Sequence, residues 1–554
     1  MKQTFTILFL LAFGCQLSAQ APTVGLLYYK PSQSWDGYNL IYPHNQPNVY
    51  LLNNCGEIVH TWTDDADFRP GNTAYIMENG DVIKTKRPSM VVGNPIWAGG
   101  GGATVERRTW DNDLLWSFTA NDSLQRLHHD IAPMPNGNVL MIAWELRTEE
   151  EAIQAGRDMA KLAEGELWPE KIIEFDPSTE SIVWEWYVWD HLIQDFDATK
   201  DNFGVVADHP ELIDLNYDTE EGAADWLHAN SLDYNPTLDQ IMISIPTFNE
   251  IWIIDHSTTT EEAASSSGGM ANRGGDLLYR LGNPAAYRAG TVDDQMLFYQ
   301  HDAHWVDDFI PANFPHRDKI AVFNNRVGAD YSTAHAFFSP WNMYEWKYDQ
   351  NLDGVWGPTA FDLTYEHPVR ERLFSTGLSS FQFLPNGNTL ICSGRFGYTF
   401  EMTPDRNIVW EYRTPLRGGI PVSQGDSLAI NNNLTFRMTR YPLDFAGFDG
   451  RTLAPQGYIE LNPREEYCNS VISNVAEVQR YGLKIFPNPA QDQLTIVWEE
   501  GMYVDLELYD LLGRRVGAIE TSGGRRYHDI SYLEDGVYFV LIDGVEVQKL
   551  VIAR

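Results

Sequence analysis

Short runs of alternating apolar and polar positions fill residues 50–462, and they come in two kinds. One is a strand, a turn and a strand around an Asn-Gly-like corner: AYIMENGDVIKT, IAPMPNGNVLMIAW, SLDYNPTLDQIMIS and FQFLPNGNTLICS. Asn-Gly between alternating runs is a strong hairpin signal, because tight turns need residues that tolerate positive φ. The other kind closes on a tryptophan or an aromatic substitute, and it recurs at 50–62, 105–118, 172–186, 251–282, 344–356 and 399–412. One run of each kind makes a four-stranded, twisted sheet. Six copies predict a six-bladed β-propeller, in which radial packing leaves only short strand edges. The first copy has no hairpin before it. NNNLTFRMTRYPLDF and GYIELNP, after the sixth copy, are expected to supply the missing strands and close the ring from both chain ends.

Insertions interrupt the repeat. Glu149 to Gly165 predicts a short helix, residues 190–225 a long acidic connection, and 258–276 a loop without the Gly-Lys-Ser/Thr ending of a phosphate-binding loop. After Cys468 the alternation LTIVW, VDLELYD, VYFVLI and VQKLVI predicts a small antiparallel, immunoglobulin-like β-sandwich. The predicted class is therefore all-β: a propeller over 21–466, a linker over 467–482 and a sandwich over 483–554. Residues 1–20, with one lysine, a short apolar run and small residues near Ala19, predict a signal peptide and not a membrane span.

Charge narrows the partners. Thirty-nine basic against 77 acidic residues give a net −38, which argues against nucleic acid and against stable association with an anionic membrane. Export implies oxidising surroundings, where Cys55 and Cys468 are the favoured pair and Cys392, in TLICS, reads as buried packing.

Candidate chemistry emerges when the hairpins are aligned on their turns. His129 lies seven residues before Asn136, His228 seven before Asn235 and His301 seven before Asp308; Asn72 and Ser379 hold the same place in two other repeats. The innermost strand of a blade lines the central channel, so these three histidines should converge at one mouth. Such a site can hold a metal ion with one position open. It can equally hold an anion, with one histidine as nucleophile and the others as hydrogen-bond donors. Asn230, two residues after His228, suits an oxyanion better than a metal, so no metal ligand is assigned. Trp62, Trp116, Trp184 and Trp410 recur at one blade position and read as packing. Trp144, Trp226 and Trp305 are candidate stacking surfaces for an aromatic substrate.

HHDIAPMPNGNVL, DWLHANSLDYNPTLDQIMIS, EIWIIDHSTTTEEAA, GDLLYRLGNPAAY and LFYQHDAHW resemble the bacterial arylsulfotransferases, six-bladed propeller enzymes, over roughly residues 25–462. The resemblance implies transfer of a sulfuryl group from a phenolic sulfate ester to a phenolic acceptor by a ping-pong route. It implies no cofactor: neither phosphoadenosine phosphosulfate nor a metal. It makes His301 the nucleophile that becomes sulfated, has His228 and Asn230 hold the sulfuryl oxygens, with His228 also aiding the leaving phenol, and adds His129 from the His-His-Asp motif. His128 and His304 are adjacent alternatives, and Asp302 can orient the His301 ring. The family arginine of Ser-x-Arg is here Pro246, in Ser244-Ile245-Pro246. The repeat alignment offers Arg395 in its place, with Arg326 and Arg437 as further candidates. Two other functions remain open: a non-catalytic propeller binding sulfated or phenolic ligands, and a three-histidine metalloenzyme. The tail, with PNPA, Leu-Tyr-Asp, Leu-x-x-Gly-Val-Tyr and Lys-Leu-Val-Ile, resembles the type IX secretion sorting domain. That implies the type IX machinery as a partner, passage through the periplasm, and a secreted or cell-surface destination.

Overall fold

The computed structural model describes residues 22–90, 94–217, 222–464, 468, 484–486, 490–497, 505–510, 514–520, 525–542 and 546–554. The expected signal peptide at 1–20 and nearly all of the expected linker lie outside the described residues. The chain divides into two units, residues 1–464 and 465–554.

Among the described residues the first unit has six antiparallel sheets of four or five strands, besides four two-stranded ones. Sheet I joins Gly37–Pro43, Asn48–Leu52 and Ile58–Thr63 to Thr435–Pro442 from the other end of the unit. Sheet II is Phe68–Ile76, Val82–Pro88, Thr104–Arg108 and Leu114–Thr119, and sheet III is Gln125–Pro133, Val139–Glu145, Glu170–Asp176 and Ser181–Tyr187. Sheet IV is Ser231–Asn235, Gln240–Ile245, Glu250–Asp255 and Tyr279–Leu281. Sheet V is His301–Trp305, Ile320–Asn324, Thr333–Phe337 and Leu363–Tyr365. Sheet VI is Ser380–Phe383, Thr389–Ser393, Tyr398–Met402 and Ile408–Arg413, with Gly25–Tyr29 added outside the last strand. The first strands of sheets II to VI and Thr435–Pro442 touch one another in cyclic order. Both chain ends of the unit are thereby tied into neighbouring sheets.

The Asn-Gly corners form as their chemistry dictates. Gly137 and Gly387 take φ of 93° and 90°, which a side chain would oppose. In each turn the preceding asparagine accepts from the backbone N–H two residues on, Asn136 from Asn138 and Asn386 from Asn388. Between sheets, Trp62, Trp184 and Trp410 are buried and their indole N–H groups donate to the adjacent sheet or its loop, while Trp116 is half-buried against Phe175. Trp62 reaches the Thr109 carbonyl, Trp184 the Thr258 hydroxyl and Trp410 the Asn54 carbonyl. Apolar faces interleave there too, as where Leu140, Ile142 and Trp186 meet Ile241, Ile243 and Ile254.

Two strand assignments are corrected. YEWKYDQNLDGVW is not the outer part of sheet V; Trp341–Asn342 and Lys347–Tyr348 form a separate two-stranded ribbon. The third strand is Thr333–Phe337 (TAHAF), whose small residues are all buried and so lack visible alternation. GYIELNP contributes only isolated bridges, Glu57 with Tyr458 and Ser423 with Leu461. Its expected place is taken by Gly37–Pro43. The insertion helix runs Glu149–Ala155, with a Thr148–Glu151 capping box and left-handed Gly156 at its end.

The second unit has two antiparallel sheets. One is Lys484–Phe486, Gln493–Val497 and Arg525–Asp529; the other is Arg515–Glu520, Asp505–Asp510, Gly536–Ile542 and Glu546–Ile552. Leu494, Ile496, Leu506, Leu508, Val540 and Leu550 form its core. Cys55 and Cys468 are both disulfide-bonded, and Cys392 is a buried free thiol. No helix among the described residues is long and apolar enough to cross a membrane.

Candidate functional site

The first strands of the sheets are bent at bulges, and the bend aims their side chains. Pairing slips between Pro70 and Ala74, opposite residues 127–131 in sheet III, and between His301 and His304. A non-glycine residue in the left-handed region accompanies the bend: Asn72 at 146°, His129 at 47°, His228 at 55° and Ser379 at 97°. Such backbone is costly for a residue with a Cβ, and bulges re-aim side chains next to functional sites. These are four of the five residues that share the repeat offset. The fifth, His301, is not itself left-handed: Tyr299, at 56°, and Asp302, at 58°, flank it instead.

The three predicted histidines are brought together. His129 and His228 have ring centroids 4.7 Å apart at 75°. Tyr299 lies beside both other rings, 6.1 Å from His228 and 6.2 Å from His301. Phe436, from the Thr435–Pro442 strand, faces His129 at 6.2 Å and His301 at 6.3 Å.

Hydrogen bonds set the ring states. Asn325 donates its amide N–H groups to the Ser375 and Leu378 carbonyls, at 2.9 and 3.0 Å, so its Oδ1 is an acceptor. That oxygen sits 2.9 Å from His301 Nδ1, which must therefore carry the proton. Nε2 of His301 is left with its lone pair. His228 Nδ1 faces Asp225 Oδ2 at 2.5 Å, which orients Nε2 of that ring. His129 shares a proton with His128, Nδ1 to Nδ1 at 2.9 Å, and His128 stacks on Trp144 at 3.8 Å. A glycine run closes over these rings. A Cβ at Gly100 would stand 2.0 Å from His129 Nε2, and one at Gly99 3.6 Å from His228 Cε1.

Burial pushes the His301 imidazole down to about 3; the Asn325 bond opposes this, and His228 and Arg395 add to it. His44, in the loop after Gly37–Pro43, is pushed down to about 4 by burial, Arg87 and Arg395. Burial and the neighbouring histidines also hold His129 well below the ordinary range. His129 and His301 are thus neutral at physiological pH. Arg395 stands beside them: the Cβ position of Gly377 is 3.2 Å from its Nη2 and 3.7 Å from His301 Cε1. Its Nη1 donates to Asn431 Oδ1, while its buried Nε has no partner.

Other candidates are placed elsewhere. Arg437 pairs with Asp130 at 2.8 Å and Asp302 at 2.7 Å, so it is neutralised. Asp302 accordingly does not orient His301. Asn230 is fully buried and donates to the Gln300 carbonyl at 2.7 Å, steadying the residue before His301. His304 and Trp305 line a cavity of about 100 Å³ at the far ends of the same strands. Trp144, Trp226 and Trp305 are all buried: Trp144 stacks on His128, Trp226 packs on Phe248, and Trp305 lines the separate cavity rather than the histidine cluster. Among the described residues no group of three or more His, Cys, Asp or Glu side chains is arranged to hold a metal ion. Sequence reading missed Asp225, Asn325, His44, Tyr299 and Gly100. Of these only Asp225, three residues before His228, and the GGGG run carried a visible signal.

Comparison with known proteins follows this geometry. The arylsulfotransferase (ASST) family profile matches residues 32–414, and the secretion system C-terminal sorting domain matches 484–553. Comparison with curated proteins gives no match. Among solved structures, a protein of unknown function from Bacteroides caccae is 10% identical at a TM-score of 0.38, covering 74% of this chain and 99% of its own. An inactive virginiamycin B lyase from Staphylococcus aureus, with quinupristin, is 10% identical at 0.31, covering 71% and 88%. PorZ of the type IX secretion system of Porphyromonas gingivalis is 11% identical at 0.28, covering 92% and 68%. The sorting domain marks the chain for the cell surface or secretion. With a profile match over most of its length, this chain belongs to the arylsulfotransferase family.

Proposed function

We propose that this protein is a secreted aryl-sulfate sulfotransferase whose six sheets are the blades of a propeller, with the site at one mouth of its channel. The observation that carries the reading is the pairing of His301 with Asn325, which leaves a neutral imidazole with Nε2 unprotonated. That lone pair attacks the sulfur of a phenolic sulfate, forming the N–S bond as the S–O bond to the aryl group breaks. Protonated His228, held by Asp225, gives its Nε2 proton to the departing phenolate. An acceptor phenol then returns a proton to His228 while its oxygen takes the sulfuryl group from His301. His129, neutral in the same pocket, lines the opposite side. Arg395 replaces the charge missing at Pro246, and its free Nε–H suits a sulfuryl oxygen.

The test is purified protein with 4-nitrophenyl sulfate and phenol. Nitrophenol release should depend on the acceptor, vanish in His301→Asn and fall by at least roughly 10²-fold in Arg395→Ala. An unaffected rate in Arg395→Ala discards that arginine as the clamp. Pro246 is the observation favouring a second reading, a binder without turnover; absent release with retained aryl sulfate binding supports it.

A further inference from the structure

Tyr299 is half-buried beside both proposed catalytic rings, and the guanidinium of Arg326 lies 3.4 Å from its ring centroid. Arg326 is exposed, and its Nε donates to the Thr376 carbonyl at 3.1 Å. Among the described residues neither Arg326 nor Arg395 forms an ion pair with a carboxylate, although the chain has 77 acidic side chains to 39 basic ones. Arg370 and Arg372 do pair, with Glu366 and Glu411, while Arg87, which with Arg395 acts on His44, likewise has no ion pair among the described residues. Two unneutralised guanidiniums at one mouth repel each other, a cost that a doubly anionic ligand removes. Arg395, beside His301, suits the sulfuryl group. Arg326 is one aromatic ring further out, and its two terminal nitrogens can grip a planar anion in a fork.

We propose that Tyr299 and Arg326 form the aryl-recognition surface of the site, and that the preferred phenolic sulfates carry a second anionic substituent, which Arg326 binds. The ring lies against Tyr299, its sulfate end toward His301 and its other end toward the Arg326 guanidinium. This rests on the sulfuryl-transfer reading above.

The test compares 4-sulfooxybenzoate with 4-methoxyphenyl sulfate as donors for wild type, Arg326→Gln and Tyr299→Leu. Arg326→Gln should lower kcat/KM for the carboxylate donor about tenfold more than for the methoxy donor, mainly through KM. Tyr299→Leu should weaken both donors alike. Equal losses on the two donors in Arg326→Gln overturn the proposal. If no donor is turned over, the sulfuryl-transfer reading fails by itself, and calorimetric binding of 4-hydroxybenzoate and 4-methoxyphenol decides this one. A preference for the carboxylate that disappears in Arg326→Gln sustains it, and equal binding overturns it.

Discussion

Asn325 Oδ1 lies 2.9 Å from His301 Nδ1, and the amide cannot be reversed without setting its NH₂ against that ring and its oxygen against two carbonyls. On the proposed mechanism, Asn325 therefore dictates which nitrogen of His301 would react. Asn325→Ala should lower kcat by about tenfold to hundredfold with KM little changed, because the wrong tautomer becomes accessible. Asn325→Asp should act differently. A carboxylate favours the protonated ring, so the rate should fall on acidification over a range where the wild type is flat. Parallel pH profiles of kcat for the two proteins would discard the tautomer argument.

Asp225 does the corresponding work for His228, at 2.5 Å. Asp225→Asn keeps the shape and removes the charge that favours an imidazolium. Transfer from donors with poor leaving groups should suffer most, because they depend most on the proton. The ratio of rates for 4-methoxyphenyl and 4-nitrophenyl sulfate should drop about tenfold. An unchanged ratio would mean that His228 gives no proton.

Gly100 has φ of 80°, and an added Cβ would meet His129 Nε2 at 2.0 Å. Gly100→Ala should cost about 1–3 kcal/mol of stability and displace the ring. Urea unfolding and the transfer rate should both report it. Gly137→Ala makes the control, since its φ is also positive but a Cβ there meets nothing within 4 Å; it should lose stability and keep full specific activity.

Stability should peak near neutral pH for two opposing reasons. His301 and His44 are pushed from an ordinary 6.5 to about 3 and about 4. The unfolded chain takes up their protons first, so stability is whole above 6.5 and is lost as pH falls from there toward 3. His256 is the reverse case. Burial lowers its pKa, but hydrogen bonds to Asp239 and Glu174 prevail and raise it to about 9. Its contribution is whole below 6.5 and is lost as pH rises through 9. His256→Gln should flatten the alkaline arm of the urea midpoint and leave the acid arm in place. A variant whose alkaline arm matched the wild type would remove that clasp from the account.

The sequence alone determined the repeat and the offset that marks His129, His228 and His301, because hairpin turns and alternating strands are local and leave a period in the chain. It determined the family likeness and the sorting tail in the same way. Tertiary structure decided what lies across the ring. Asn325 meets His301 from the next strand of its sheet, Phe436 arrives from the far end of the unit, and Arg437 is drained of its role by Asp130 and Asp302. Sheet V shows why: left-handed Tyr299 and Asp302 flank His301, the third strand is TAHAF, and neither repeats a pattern seen elsewhere. Contacts between residues hundreds of positions apart have no spacing to read, and the choice of which arginine remains unpaired depends on every carboxylate near it. Among the described residues that choice left Arg326, beside Tyr299, and Arg395, beside His301, without a carboxylate partner.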